Sequence, residues 1–178
     1  MKFLASLLLA LSSLVGFSQT APPQPEPVEH TFIIHNFHTE SGVTLPEAKI
    51  VYGTYGHLNA AGDNAILLPS HYMATMTGYS WLIGPGKALD PEKLFLITSE
   101  EFGNGRSSSP SNTPEPFHGP RFPVTTIRDN VEAVHQLLTQ ELGVKHLQAV
   151  IGFLATRILR VKGPWQMVPT RAEGQLSL

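Results

Sequence analysis

The chain has no cysteine among its 178 residues. Disulfide staples and thiolate metal sites are therefore excluded, and the fold has to be held by core packing and hydrogen bonds. It is also short of charge: 12 Lys and Arg stand against 14 Asp and Glu, a formal net charge of −2. That balance gives no electrostatic footprint for nucleic acid or an anionic membrane, so neither is expected as a partner. No apolar run reaches the ~20 residues of a membrane-spanning helix. The longest, Phe3 to Val15, is shorter and carries three serines, so no membrane span is expected. No Asn-x-Ser/Thr glycosylation acceptor, internal repeat or heptad is present. With 42% hydrophobic residues, one modest core is affordable and two are not.

What is there divides into four stretches. Met1-Lys2, the apolar run to Val15, and the small residues Gly16 and Ser18 read as a signal peptide over residues 1–18, implying a secreted or extracytoplasmic protein. Residues 19–28 form a Pro-rich leader, because each proline in Ala21-Pro22-Pro23-Gln24-Pro25-Glu26-Pro27 lacks a donor and restrains its predecessor. A domain is expected from Glu29 to Phe153, and a basic tail over residues 154–178. The tail carries Arg157, Arg160, Lys162 and Arg171 against Glu173, a net +3, while the rest of the chain is at −5.

Within the domain, Thr31–His35 and Lys49–Tyr52 are short β-rich runs, joined by a turn-rich link containing Gly42 and Pro46. Asn64–Leu68 and Lys93–Thr98 are continuous apolar runs, the signature of strands buried on both faces of a parallel sheet. Thr126 is an N-cap with Asp129 in the first turn. Ile127, Val131, Val134, Leu138 and Leu142 then recur at helical spacing until Gly143, so this stripe is expected to face the sheet. Leu147–Ile151 completes a strand-helix-strand crossover. The loop from Gly103 to Pro123, rich in Gly, Pro, Ser and Asn, is expected to lack regular structure and to form a functional rim.

Chemistry-bearing residues are sparse. The last strand runs into Gly152-Phe153-Leu154-Ala155-Thr156. A G-x-S-x-G turn lifts a nucleophilic serine above a sheet, and here position 154 is leucine and position 156 threonine. Ser107-Ser108-Ser109 beside Arg106 lacks any neighbouring base and reads as a solvated loop. His71, just beyond a buried strand, reads either as a rim histidine near a ligand or as a structural loop residue. His35 and His38, with His30 nearby, give no secure third ligand, so no metal site is expected. Gly84-Pro85-Gly86-Lys87 fails the phosphate-loop pattern at Trp81 and Ala88, which excludes nucleotide binding on that basis. Tyr79 and Trp81 read as wall residues of an acyl pocket or as packing against the sheet edge. No cofactor is expected.

Three segments together carry a resemblance. Tyr52-Gly53-Thr54-Tyr55-Gly56-His57-Leu58-Asn59-Ala60, followed by Asp63–Leu67, is similar to the opening of the homoserine O-acetyltransferase-like branch of the α/β-hydrolase superfamily. Ile83–Asp90 with Phe95 beyond it resembles that family's second signature, and Phe122–Asp129 its third. The likeness covers roughly residues 29–153 and stops there.

It implies a truncated α/β-hydrolase fold, a mostly parallel sheet with an incomplete C-terminal half, whose relatives transfer acyl groups or hydrolyse esters through a serine. It also implies that the loop Pro69-Ser70-His71-Tyr72 supplies one oxyanion N–H, that of Tyr72, and that Ala155 follows the nucleophile position as the second. With Leu154 in place of serine, and no Asp and His from a C-terminal half to complete the triad, the expectation is an inactive member. The alternatives are a non-catalytic binding module for a small acyl ester, an acyl-CoA-type ligand or a partner, and an enzyme completed by a second polypeptide. The strand at Leu147–Ile151 is expected to be an exposed edge prone to self-association.

Overall fold

The computed structural model describes residues 25–71 and 75–152. The expected signal peptide, most of the leader, Phe153 at the end of the expected domain and the tail over residues 154–178 lie outside the described residues. The elements are β1 (Val28–His38), β2 (Thr44–Tyr55), β3 (Ala65–Pro69), β4 (Phe95–Ser99), α1 (Ile127–Gln136) continued by a π turn (Leu137–Glu141), and β5 (Leu147–Val150). They form one five-stranded sheet in the order β1-β2-β4-β3-β5.

β3 pairs in parallel with β4 on one side and β5 on the other, whereas β1–β2 and β2–β4 are antiparallel. The architecture is the expected α/β-hydrolase-type sheet, but over these residues it is mixed rather than mostly parallel. The reason is the short turn between β1 and β2: five residues suffice for a hairpin, and a parallel connection would need a crossover of a dozen or more. Both hairpin strands are longer than their apolar cores suggest. Pro46, expected in the link, lies inside β2 opposite Asn36, the one non-glycine described residue at positive φ (54°). Proline has no N–H to offer there, and the pair Asn36–Pro46 drops out of the β1–β2 ladder.

β3 and β4 are buried almost throughout. Alternation sends Leu67 and Ile97 to one face with Ile50, Leu137 and Leu138, and Ile66, Leu68 and Leu96 to the other with Tyr79, Ile83 and Leu89. Each fully buried Leu or Ile contributes about 1.5–3 kcal/mol. Two glycines of the first signature have steric causes. A Cβ on Gly53 would lie 2.7 Å from Pro27 Cβ and 2.8 Å from Thr98 Oγ1; Gly56 turns out of β2 at φ +70°, where a Cβ would meet the Pro91 carbonyl oxygen at 2.3 Å.

The helix cap is as expected, and its buried face is not. Thr126 and Asp129 form a capping box. The buried residues are Asp129, Ala133, Leu137 and Leu138, while Ile127 is 85% and Val131 43% exposed. Asp129, Ala133 and Leu137 recur at a spacing of four, about 200° around the helix from Ile127 and Val131, so the buried side is already set within α1, before the π turn is complete. Asp129 is buried because Oδ1 also accepts from Glu40 N–H (2.8 Å), pinning the helix start to the β1–β2 turn.

The Gly103–Pro123 loop contains little regular structure, but its serines are not solvated. Ser107, Ser108 and Ser109 are all buried. β4 pairs with β2 only from Tyr52 to Tyr55. Beyond that, the β2 amides of Lys49 and Val51 donate to Ser108 Oγ (2.8 Å) and Ser107 Oγ (3.0 Å), and Ser108 N–H donates to the Lys49 carbonyl (2.9 Å). The serine run thus takes the place of a strand along β2.

Candidate functional site

The three parallel strands β4, β3 and β5 end side by side, with Pro69 paired to Ser99 and Leu67 to Val150. Ligands enter sheets of this kind outside the carboxyl ends of the strands. Ser70 N–H donates to the Ser99 carbonyl (2.8 Å) and Ile151 N–H to the Leu67 carbonyl (2.9 Å), so the segments leading to His71 and to Gly152 leave the sheet as neighbours. His71 stands at this rim, its ring 5.6 Å from Tyr79 in an edge-on contact. Tyr72, Leu154 and Ala155 lie outside the described residues. Tyr79 is a core residue whose hydroxyl donates to the Pro69 carbonyl (2.5 Å), whereas Trp81 is 55% exposed.

The dominant polar group of the rim was not singled out from the sequence. Glu100 follows β4 directly and its side chain is wholly buried. Oε1 accepts from Met76 N–H (2.9 Å) and Oε2 from Asn104 Nδ2 (2.6 Å). Arg106 Nε lies 3.4 Å from Oε1, an ion pair without hydrogen-bond alignment, and the guanidinium also bridges to Glu29. A buried carboxylate needs such compensation. Glu101 beside it has its carboxyl raised, first by burial and second by the charge of Glu100. The Ser99 hydroxyl, buried at the same rim, has no hydrogen-bond partner among the described residues. A sequence signal existed for Glu100: an acid immediately after an apolar run lies at the same strand end as His71.

The other candidates do not converge. His30 stacks on Tyr52 and its Nε2 lies 3.1 Å from Thr54 Oγ1; His38 Nδ1 contacts Thr44 Oγ1 at 2.7 Å. Eight residues of extended strand separate these two histidines, about 26 Å, and His35 sits beside Glu47 (3.9 Å). No cluster of three potential metal ligands occurs among the described residues. Lys87 Nζ donates to the Trp81 carbonyl (3.1 Å) and Gly86 N–H to Asp90 Oδ2 (3.1 Å), so this glycine-rich loop closes on itself. Two open depressions, about 520 Å³ beside Glu47 and Phe117 and about 570 Å³ beside Tyr52 and Phe95, lie away from the rim. Tyr55 at the second has its hydroxyl pushed up to about 12 by burial and then by Glu26.

No family model matches the chain. Among curated proteins, the chain is similar to an ethyl acetate hydrolase of Pseudomonas veronii, 42% identical over 114 residues, covering 64% of this chain and 33% of that protein. A homoserine O-acetyltransferase of Emericella nidulans is 34% identical over 130 residues, covering 67% of this chain and 26% of the relative. Among solved structures, an acetylester hydrolase from Corynebacterium glutamicum superimposes with a TM-score of 0.67 at 38% identity, over 70% of this chain and 36% of that one. The matched portion is a partial α/β-hydrolase fold, similar to esterases and homoserine O-acetyltransferases. The chain spans about a third of the length of the curated relatives it matches.

Within this α/β-hydrolase portion the second signature gains a physical account. Asp90 ends it by accepting from Gly86 N–H and Glu92 N–H, which hold its carboxyl below the usual range, with smaller opposing and supporting effects from burial and Lys93. The third signature is the capping segment of α1.

Proposed function

We propose that this partial α/β-hydrolase holds a small acyl ester or acyl-CoA-type group at the β3–β4–β5 rim and does not turn it over through an acyl-serine. One observation carries the reading: the chain leaving β5 beside β3 reaches leucine at position 154, where the elbow of a serine hydrolase places its nucleophile. A leucine side chain has no hydroxyl to attack a carbonyl. The relatives include esterases and homoserine O-acetyltransferases, which supports an acyl compound as the ligand class. Met1–Ser18 supports export. β5 has β3 on one side and no strand on the other among the described residues, which supports self-pairing along that edge.

The test uses the purified full chain with p-nitrophenyl acetate and a serine-directed fluorophosphonate. The expected result is hydrolysis at the buffer rate and no phosphonate adduct by intact mass. Ethyl acetate or acetyl-CoA should still raise the melting temperature, since a ligand at 100 times its Kd stabilises by about 2.7 kcal/mol. Stoichiometric labelling together with ester turnover would overturn the proposal.

A further inference from the structure

Among the described residues, Glu100 is the one fully buried carboxylate side chain that gathers partners from separate segments of the rim. Its Oε1 holds Met76 N–H, on the limb Thr75–Tyr79 that returns from the loop after β3. Its Oε2 holds Asn104, and Arg106 neutralises it, both from the serine-containing loop. Arg106 carries the connection on to Glu29 at the start of β1. The serine loop is in turn bonded to β2 at Lys49 and Val51. A negative charge beside a site where acyl chemistry gathers negative charge works against that chemistry unless it is neutralised in place. The Arg106 guanidinium meets that requirement from within the same cluster.

We propose that Glu100 is a positioning residue that locks the two rim loops, Thr75–Tyr79 and Gly103–Ser109, to the end of β4 as one mechanical unit. It touches no reacting atom. Its carboxylate sets where the returning limb of the β3 loop sits, and the charge of Arg106 makes that carboxylate bearable in a dry environment. Loosening either partner therefore loosens both loops. Calling these loops acyl-handling rests on the function proposed above; the lock itself does not.

Amide hydrogen exchange by mass spectrometry on the full chain reads the lock without any turnover. In Glu100→Ala, exchange in Thr75–Tyr79 should speed up by about tenfold or more, the loss of one charge-assisted hydrogen bond to a backbone N–H, while peptides from β3 and α1 stay within about twofold. Glu100→Gln keeps an oxygen for Met76 N–H and should restore most of that protection. The decisive variant is Arg106→Met, which keeps the aliphatic stem and removes the charge opposite Glu100 while leaving the Met76 N–H bond to Oε1 in place. It should accelerate exchange in Thr75–Tyr79 as well as in Gly103–Ser109, and it serves alone if Glu100→Ala does not fold. If Arg106→Met speeds up only its own loop, or if Gln restores nothing, the proposal is wrong. Ester turnover by the wild type would strike the function and leave the lock standing.

Discussion

The two flanks of the sheet solve the same problem in opposite ways. On the β1–β2 side, where β2 runs past the end of β4, side chains from distant segments take over as hydrogen-bond partners. Ser107 and Ser108 serve the Val51 and Lys49 amides, and Asp129 serves Glu40 at the hairpin turn. On the other side, β5 is held by β3 and no comparable set of side-chain partners meets its outer edge among the described residues. The lesson is that an interrupted strand edge can be sealed by hydroxyls and carboxylates as well as by another strand. An edge without such a seal keeps its pairing groups available.

The sharpest way to break the contrast is to remove the seals. Asp129→Ala loses the capping box and the Glu40 bond together, and is expected to cost about 2–4 kcal/mol of unfolding free energy, measured by urea denaturation. A cost below about 0.5 kcal/mol would show that the hairpin flank does not depend on the tie. Ser107→Ala leaves the buried Val51 N–H without its acceptor, and an expected loss of about 1–3 kcal/mol in the same titration would confirm the hydroxyl as a working strand substitute. On the unsealed flank, Gln148→Lys places a charge on β5 and should weaken concentration-dependent self-association severalfold or about tenfold by sedimentation velocity, while leaving the melting temperature nearly unchanged. A wild-type chain that stays monomeric at all concentrations removes that side of the contrast.

The smallest effect belongs to neither flank. Because the folded state lowers the Asp90 carboxyl below its ordinary value of 3.8, its stabilisation is present above that value and is lost as pH falls through the lowered one. Asp90→Asn should therefore flatten the acid limb of a stability-against-pH curve below about pH 4 and change little near neutrality.

What could be read in the sequence follows from the range of the forces involved. β3 and β4 were legible because strands buried on both faces must be apolar at every position, and Ala65–Pro69 and Phe95–Ser99 nearly are. The Thr126 cap was legible because its partner is three residues away. The serine run was read as solvated loop because its partners on β2 lie 56 and 59 residues back, and no local pattern encodes that distance. Glu100 was passed over for a similar reason: a charge after a strand looks like ordinary rim polarity until Met76, Asn104 and Arg106 are seen around it. The three signatures lie at the β2–β3 connection, in the loop before β4 and at the cap of α1 rather than at the strand ends of the rim, and the comparisons with esterases and acetyltransferases agree with the resemblance they carry.

The π turn at Leu137–Glu141 makes the direction in which the chain leaves α1 a matter of counting. Deleting a single amino acid there would let the segment wind as plain α-helix and would turn everything after it, the approach to β5 included, by about 100° relative to the buried line of Asp129 and Ala133. A change that leaves composition and hydropathy almost untouched would thus mis-aim the strand that follows the helix.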